Sequence, residues 1–540
     1  MPSPGGVYTR VRHSNEQFGS TIVTTEDQSQ MRSMALAELL AEVPVLQITG
    51  DTAVNVGRIA VDSRGVQSGD LFVALKGQEF DGHQYIQEAV TNGAAAVVCQ
   101  RLPTGEVAPC TMVLVEDTHR TLGLLAGAYF DHPSRQLRLI GVTGTDGKTT
   151  TTLLTAEILR AAGRKVGHCT TVDVDNGISR ELNQVGYTTP QALDLQRLLR
   201  EMVDAGIEVA AVEVSSHALA TGRVEDCQFD VAVFTNLAPE HLDFHHTLEE
   251  YRAQKLRLFE NLEQNRTKPW STLGVINADD AAAPYFEKSC SHPLLYSIDH
   301  PAAVRAREIS CTAQGSQFVL ETPQGTVTVR THLLGRFNVR NWLAAAGAAL
   351  GCGASLKDVA KAGESVRPLP GRMEGIDGGQ PFSVYVDFAH TPQGLTAALD
   401  TLREVHHGRT IAVFGHAGRR DTHHRRDLVE AAHTRCDLFI LTMDDPYDED
   451  PAAILEEMRS AALALGCREG QDFICVLDRK RAFEEAFLRA KSGDAVLLAG
   501  RGHERSIPLA SDSLVFHDPT VARAVLSDMG KEISEKGGQA

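Results

Sequence analysis

The stretch Gly141-Val142-Thr143-Gly144-Thr145-Asp146-Gly147-Lys148-Thr149-Thr150-Thr151 constrains the fold of this chain more than any other. The apolar run Leu137 to Thr143 reads as a buried strand, and helical periodicity runs from Lys148 to Ala162. Between them lies a glycine-rich turn. Glycines there let backbone N–H groups converge on phosphate oxygens, and the helix N-terminus adds the positive end of its dipole. Lys148 is placed to neutralise β- and γ-phosphates and Thr149 to reach Mg²⁺. The spacing G-x-x-x-x-G-K-[ST] is not met, because position 142 is Val; the shorter G-T-x-G-K-T-T is present. A strand, phosphate turn and helix in that order predict an α/β sheet with ligands at its carboxyl edge.

The chain has 540 residues, enough for about three to four domains at roughly 150 residues each. Residues 34–135 mix short strands (Arg58 to Val61, Asp70 to Leu75, Ala94 to Cys99) with helical stretches (Leu36 to Glu42, Gln84 to Asn92) and read as a small α/β domain. The segment Asp131-His132-Pro133-Ser134 reads as a linker. Residues 136–365 hold the phosphate loop, further apolar strands (Val209 to Val214, Val231 to Thr235, Leu273 to Asn277) and an amphipathic helix, Thr247 to Asn261. The Thr/Val-rich run Val304 to Leu333 has turn signals at Ala313-Gln314-Gly315 and Pro323-Gln324-Gly325, and reads as antiparallel strands added to that domain. Residues 366–540 alternate strands (Val384 to Phe388, Thr410 to Phe414, Leu438 to Leu441, Phe473 to Val476, Ala495 to Leu498) with helices, a doubly wound pattern.

Charge and cysteine content narrow the function. The formal net charge of −18 disfavours binding to a nucleic-acid backbone. Ten scattered cysteines without C-x-x-C give no zinc ribbon or redox pair and read as reduced thiols of a cytoplasmic protein. No apolar run reaches membrane-spanning length. Residues 1–33 are polar and lack the apolar segment of a signal peptide; they read as a disordered extension, with Met31 or Met34 as alternative starts.

Around the phosphate loop, Glu213 ends a strand, where a carboxylate suits Mg²⁺. His241, His245 and His246 cluster after Pro239, in what reads as a loop without a fourth zinc ligand. By composition alone Lys255 is a solvated helix lysine.

Several motifs in order carry a resemblance. They are Asp62-Ser63-Arg64, Gly69-Asp70-Leu71-Phe72-Val73-Ala74, Asp81-Gly82-His83, G-T-D-G-K-T-T-T, Glu213-Val214-Ser215-Ser216-His217, Phe234-Thr235-Asn236 and His241-Leu242-Asp243. Gly335-Arg336-Phe337-Asn338-Val339-Arg340-Asn341, Pro370-Gly371-Arg372-Met373-Glu374, Val386-Asp387-Phe388-Ala389-His390-Thr391-Pro392 and Gly500-Arg501-Gly502-His503-Glu504 follow. From about residue 35 to 530 the chain resembles the Mur ligases, in their tripeptide-synthetase branch. The resemblance implies three domains: UDP-substrate-binding, ATPase and amino-acid-binding. It implies a cytoplasmic, monomeric enzyme of peptidoglycan synthesis that uses ATP and Mg²⁺. In that reaction ATP phosphorylates the D-Glu γ-carboxyl of UDP-MurNAc-L-Ala-D-Glu, and the amine of a diamino acid attacks the acyl phosphate. By the same resemblance Gly144, Thr145, Asp146, Gly147, Lys148, Thr149, Thr150, Asn341, Arg372 and Asp387 contact ATP. Thr149, Glu213, His241 and a carbamylated Lys255 hold metal. Ser63, His83, Thr188, Thr189, Ser215 and Arg223 hold the UDP-substrate, with Thr221 standing where the family often has Gln.

Relatives that add meso-diaminopimelate carry Asp-Asn-Pro-Arg in the third domain, whose Arg clamps the distal carboxylate. Here the segment is Asp444-Asp445-Pro446-Tyr447-Asp448-Glu449-Asp450. With the fork gone and acid added, the site favours L-lysine or L-ornithine, held by Asp444, Asp445 and Glu504. Arg419 or Arg420 is placed for the α-carboxylate, and Arg425 or Arg505 could restore the missing clamp for meso-diaminopimelate. The alternatives are that substrate, a folylpolyglutamate- or cyanophycin-type amide ligase, or a P-loop switch without ligation.

Overall fold

The computed structural model describes residues 10–12, 33–77, 80–103, 109–183, 187–264 and 266–537. Its first unit is a five-stranded sheet in the order Gln47–Thr49, Thr111–Leu114, Ala96–Cys99, Leu71–Val73, Ile59–Ala60, parallel except for Gln47–Thr49. The helix Thr118–Tyr129, not read from the sequence, is capped by Asp117, whose side chain accepts from the His119 and Arg120 amides. Its two glycines obscure it, since glycine lowers helix propensity. Packing explains them: a Cβ at Gly127 would lie 2.0 Å from Asp226 Oδ2, and one at Gly123 2.4 Å from the Gly222 carbonyl. The first unit thus rests directly on the central one.

The linker is pinned at the same place. His132 Nδ1 lies 3.0 Å from Asp226 Oδ2, Ser134 Oγ donates to the Asp226 carbonyl at 3.0 Å, and Arg135 bridges Asp226 and Glu42.

The central unit is an eleven-stranded sheet. Its middle is parallel: Val166–Cys169, Val209–Glu213, Arg138–Thr143, Val231–Phe234, Leu273–Asn277 and Pro293–Ser297. Val304–Thr312, Gly315–Thr322 and Gly325–Thr331 extend the same sheet as an antiparallel meander, turning where the sequence predicts. Helices Lys148–Ala161 and Arg336–Gly351 cover one face and Ala192–Asp204 and Leu248–Glu260 the other, each over its own apolar core. The strand Val166–Cys169 escapes a hydropathy reading because it buries His168, which is satisfied by Asp173 at 3.1 Å and Arg160 at 3.0 Å.

The third unit orders its sheet Glu374–Gly375, Ser383–Asp387, Ala495–Ala499, Thr410–Phe414, Leu438–Leu441, Phe473–Cys475. All are parallel but the first, so the doubly wound expectation holds. The reading of residues 1–33 as disordered gives way at Arg10–Arg12, whose backbone pairs antiparallel with the edge strand Asp512–Val515. An edge strand's unpaired amides and carbonyls account for that addition. Residues 1–9 and 13–32 lie outside the described residues. No helix among the described residues is long and apolar enough to cross a membrane.

Candidate active site

The turn after Arg138–Thr143 is held from both sides. Asn236 Oδ1 accepts from the Asp146 amide at 2.9 Å, and Thr235 Oγ1 donates to the Asp146 carbonyl at 2.6 Å. Gly144 has φ +149° and Gly147 φ +82°; a Cβ would meet Thr235 Oγ1 at 1.9 Å or Asn341 Oδ1 at 2.4 Å. Lys148 Nζ donates to the Gly144 and Thr145 carbonyls at 3.0 and 2.6 Å. Thr150 is buried in the first turn of the helix, and Thr145 Oγ1 lies 3.3 Å from the Tyr251 hydroxyl.

Lys255 corrects the reading from composition. It is 1% exposed, and its Nζ donates to the same Gly144 carbonyl at 2.8 Å. Burial, then the Lys148 charge, pushes its ammonium well below the usual lysine range.

Glu213 is fully buried, and Thr171 donates to it through its amide at 2.9 Å and its hydroxyl at 3.2 Å. Burial raises its carboxyl while Lys148 works against that; the Thr149 hydroxyl lies against it. His241, at φ +56°, takes a hydrogen bond on Nδ1 from Arg420 at 3.0 Å and turns Nε2 to Glu240 Oε1 at 3.6 Å. A metal role for His241 requires Arg420 or Glu240 to move aside. His217, stacked edge-on to His241 with centroids 4.7 Å apart, and His245 are both pushed down to about 4 by burial. His241 itself is pushed down to about 3, again by burial. The three imidazoles are therefore neutral near pH 7.

The third unit closes over this loop. Arg372 Nη2 donates to Thr149 Oγ1 at 3.2 Å, Thr391 Oγ1 to Asp146 Oδ2 at 3.2 Å, and His390 Nε2 lies 3.1 Å from Glu240 Oε1. Burial opposes ionisation of Glu240, but the hydrogen bond and charge of His390 and the charge of Lys148 hold it well below the usual range. Asp387 spends both oxygens on backbone, accepting from Met373 N at 2.6 Å and Ala389 N at 2.8 Å. It therefore shapes the segment carrying Arg372 as well as facing the cleft. Asn341 Oδ1 receives the Thr151 hydroxyl at 3.4 Å.

At the carboxyl edge of the third sheet, Arg501 is fully buried. Its Nη1 pairs with Asp445 and lies 3.5 Å from Glu504 Oε2 and 3.9 Å from Asp444 Oδ1. The three acids are thus partly neutralised from within the protein, which the sequence reading missed. Arg419 is engaged by Asp448 and Glu449, and Arg425 by Glu449 and Glu457 at 2.6 Å each. Arg425 is therefore no spare clamp.

Three family models match the chain: the Mur ligase family catalytic domain over residues 55–130, the Mur ligase middle domain over 142–349, and the Mur ligase glutamate ligase domain over 371–502. A UDP-N-acetylmuramoyl-L-alanyl-D-glutamate–2,6-diaminopimelate ligase from Geobacillus kaustophilus is 41% identical, covering 92% of this chain and all (100%) of that one. The chain belongs to the Mur ligase family. A UDP-N-acetylmuramyl-tripeptide synthetase from Roseiflexus sp. is also 41% identical, covering 88% of this chain and 95% of that relative. A solved structure of a UDP-N-acetylmuramoyl-L-alanyl-D-glutamate–2,6-diaminopimelate ligase superposes with a TM-score of 0.64 at 29% identity, over 93% of this chain and 100% of that one.

In this Mur ligase the residues expected to hold the UDP-substrate fall into two groups. Thr189 Oγ1 donates to the Glu213 carbonyl at 2.8 Å and accepts from Ser215 N at 3.0 Å; Arg223 Nη1 donates to the Thr189 carbonyl at 3.0 Å. Thr188 is half-buried beside them. Thr221, in place of Gln, accepts from Arg223 Nε at 3.1 Å. Among the described residues, Ser63 and His83 bond within the first unit. Ser63 Oγ donates to Glu88 at 2.7 Å; His83 Nδ1 is 2.7 Å from Asp81, and its Nε2 accepts from Gln100 N at 2.9 Å. With both nitrogens engaged, His83 orders the loop rather than offering a free atom. Thr391 and Arg501 lay inside the quoted motifs without an assigned role, and Glu240 was legible only as the neighbour of His241.

Proposed function

We propose that this Mur ligase uses ATP to join a diamino acid to the D-Glu γ-carboxylate of UDP-MurNAc-L-Ala-D-Glu. The observation that carries the reading is the convergence of Lys148 and Lys255 on the Gly144 carbonyl, beside Glu213 and Thr149. Transfer of a phosphoryl group to a carboxylate brings like charges together, and a cation fixed in a buried cleft, Lys148, offsets that cost. Lys148 serves the phosphates. The Thr149 hydroxyl and the buried Glu213 carboxylate are hard oxygen donors suited to Mg²⁺, which supplies charge neutralisation there. Lys255 is read as the carbamylated lysine. Its depressed ammonium favours the neutral amine, the form that attacks CO₂. Arg372, Thr391 and His390 draw the third unit over the loop and exclude water from the acyl phosphate.

The amino acid proposed is L-lysine or L-ornithine. Tyr447 offers no fork, and Arg419, Arg425 and Arg501 are each held by carboxylates. Arg420, on the neutral His241 ring, has no carboxylate partner among the described residues and is assigned the α-carboxylate. The names of two relatives favour meso-diaminopimelate as the second reading. Phosphate release with ATP, Mg²⁺ and UDP-MurNAc-L-Ala-D-Glu, against L-lysine, L-ornithine and meso-diaminopimelate, decides. Turnover with the basic amino acids supports the acidic pocket. Preference for meso-diaminopimelate overturns the amino-acid assignment and leaves the ligase intact. No turnover with any of the three removes the ligase reading.

A further inference from the structure

We infer that His416 is a specificity-determining residue of the amino-acid pocket, accepting a hydrogen bond from the terminal ammonium of a basic diamino acid alongside Asp444. The inference rests on the ligase reading above. Strands Ala495–Ala499, Thr410–Phe414 and Leu438–Leu441 are adjacent and parallel, with Val413 opposite Leu498 and Phe414 opposite Leu441. Residues just past their carboxyl ends therefore gather at one edge: Glu504, His416 and Asp444.

His416 is 5% exposed, and its Nδ1 has no hydrogen-bond partner among the described residues. A buried polar atom left so is costly, and a folded chain retains few of them without a use. A histidine that merely filled space would be expected to satisfy that nitrogen. The charged groups around it are Asp444, Arg425, His424 and Glu449. Arg425 is taken up by Glu449 and Glu457. Asp444 Oδ1 accepts from the Asp445 amide at 2.9 Å, while its Oδ2 takes no hydrogen bond among the described residues. Burial holds the His416 imidazole down to about 4, so near pH 7 it is neutral and can accept. An ammonium brought here finds an imidazole acceptor and a carboxylate oxygen. A carboxylate brought here finds Arg425 already taken by Glu449 and Glu457, and Arg501 by Asp445.

The test uses the full-length enzyme with ATP, Mg²⁺ and UDP-MurNAc-L-Ala-D-Glu. KM is measured for L-lysine, L-ornithine and L-norleucine, which lacks the terminal amine. His416→Leu raises the KM for L-lysine ~10-fold and lowers the lysine-over-norleucine preference by the same factor, with the KM for ATP unchanged. His416→Gln, which keeps an acceptor, recovers most of the loss. An unchanged lysine preference in His416→Leu, or equal losses for lysine and norleucine, overturns the inference. Should His416→Leu not fold, His416→Asn, polar but shorter, is read by the same preference. Wild-type turnover with an unaltered preference in the variants removes only the role of His416. Absence of wild-type turnover with every amino acid removes the ligase reading and the inference together.

Discussion

Gly144 and Gly163 both have positive φ, yet the residues around them separate their costs. At Gly163 a Cβ meets nothing within 4 Å, so alanine pays only the left-handed backbone, about 1 kcal/mol. At Gly144 the φ of +149° is combined with a Cβ 1.9 Å from Thr235 Oγ1, and Thr235 pins the Asp146 carbonyl. Gly144→Ala is expected to lose about 3 kcal/mol and to abolish nucleotide binding. Urea midpoints and ATP titrations of the two variants check this, and equal losses would refute the steric argument. The sequence pointed to Gly144 as a phosphate-loop residue. It could not show that Lys255 is buried, because its burial depends on the loop it reaches.

The segment after the strand Leu273–Asn277 shows the same dependence among elements. Asp279 gathers the start of the next connection. Its Oδ2 accepts from Ile298 N at 2.9 Å, its Oδ1 from Asp299 N at 3.2 Å, and Arg340 of the helix Arg336–Gly351 approaches at 3.4 Å. Burial opposes its ionisation, but the hydrogen bonds from Ser297, Ile298 and His300 prevail and lower its carboxyl to about 2. For a depressed carboxylate, the stabilisation is complete above the unfolded value near 4 and is lost as pH falls towards 2. It amounts to about 2 kcal/mol at neutral pH, of which roughly half remains at pH 3. Wild type should therefore exceed Asp279→Asn in urea midpoint at pH 7, with the gap narrowing at pH 3; a constant gap would contradict the linkage. Strands such as Thr410–Phe414 and Leu438–Leu441 were legible because continuous apolar runs mark sheets buried on both faces. The helix Thr118–Tyr129 and the strand Val166–Cys169 were not, because glycines demanded by a neighbouring unit and a buried His168 broke those patterns.

Across the whole molecule, Asp226 and Arg135 fasten the first unit to the central one, while hydrogen bonds from Arg372, His390, Thr391 and Arg420 hold the third. Those bonds border the phosphate loop, so closure and nucleotide binding should be coupled. Removing two of them in His390→Ala/Thr391→Val costs about 2 kcal/mol of closure, roughly a 30-fold effect. Small-angle scattering with a non-hydrolysable ATP analogue should give a larger radius of gyration for the variant, with a raised KM for ATP. An unchanged radius and KM would mean that these contacts do not govern closure. The sequence by itself determined the phosphate loop, the order of the three units and the family, because turn glycines, apolar runs and ordered motifs are local in the chain. Only the tertiary structure decided that Lys255 is buried, that Arg501 tempers the acids at 444, 445 and 504, and that His416 is buried near Asp444 with its Nδ1 left open among the described residues. Burial and charge pairing are set by residues hundreds of positions apart, and no local pattern records them.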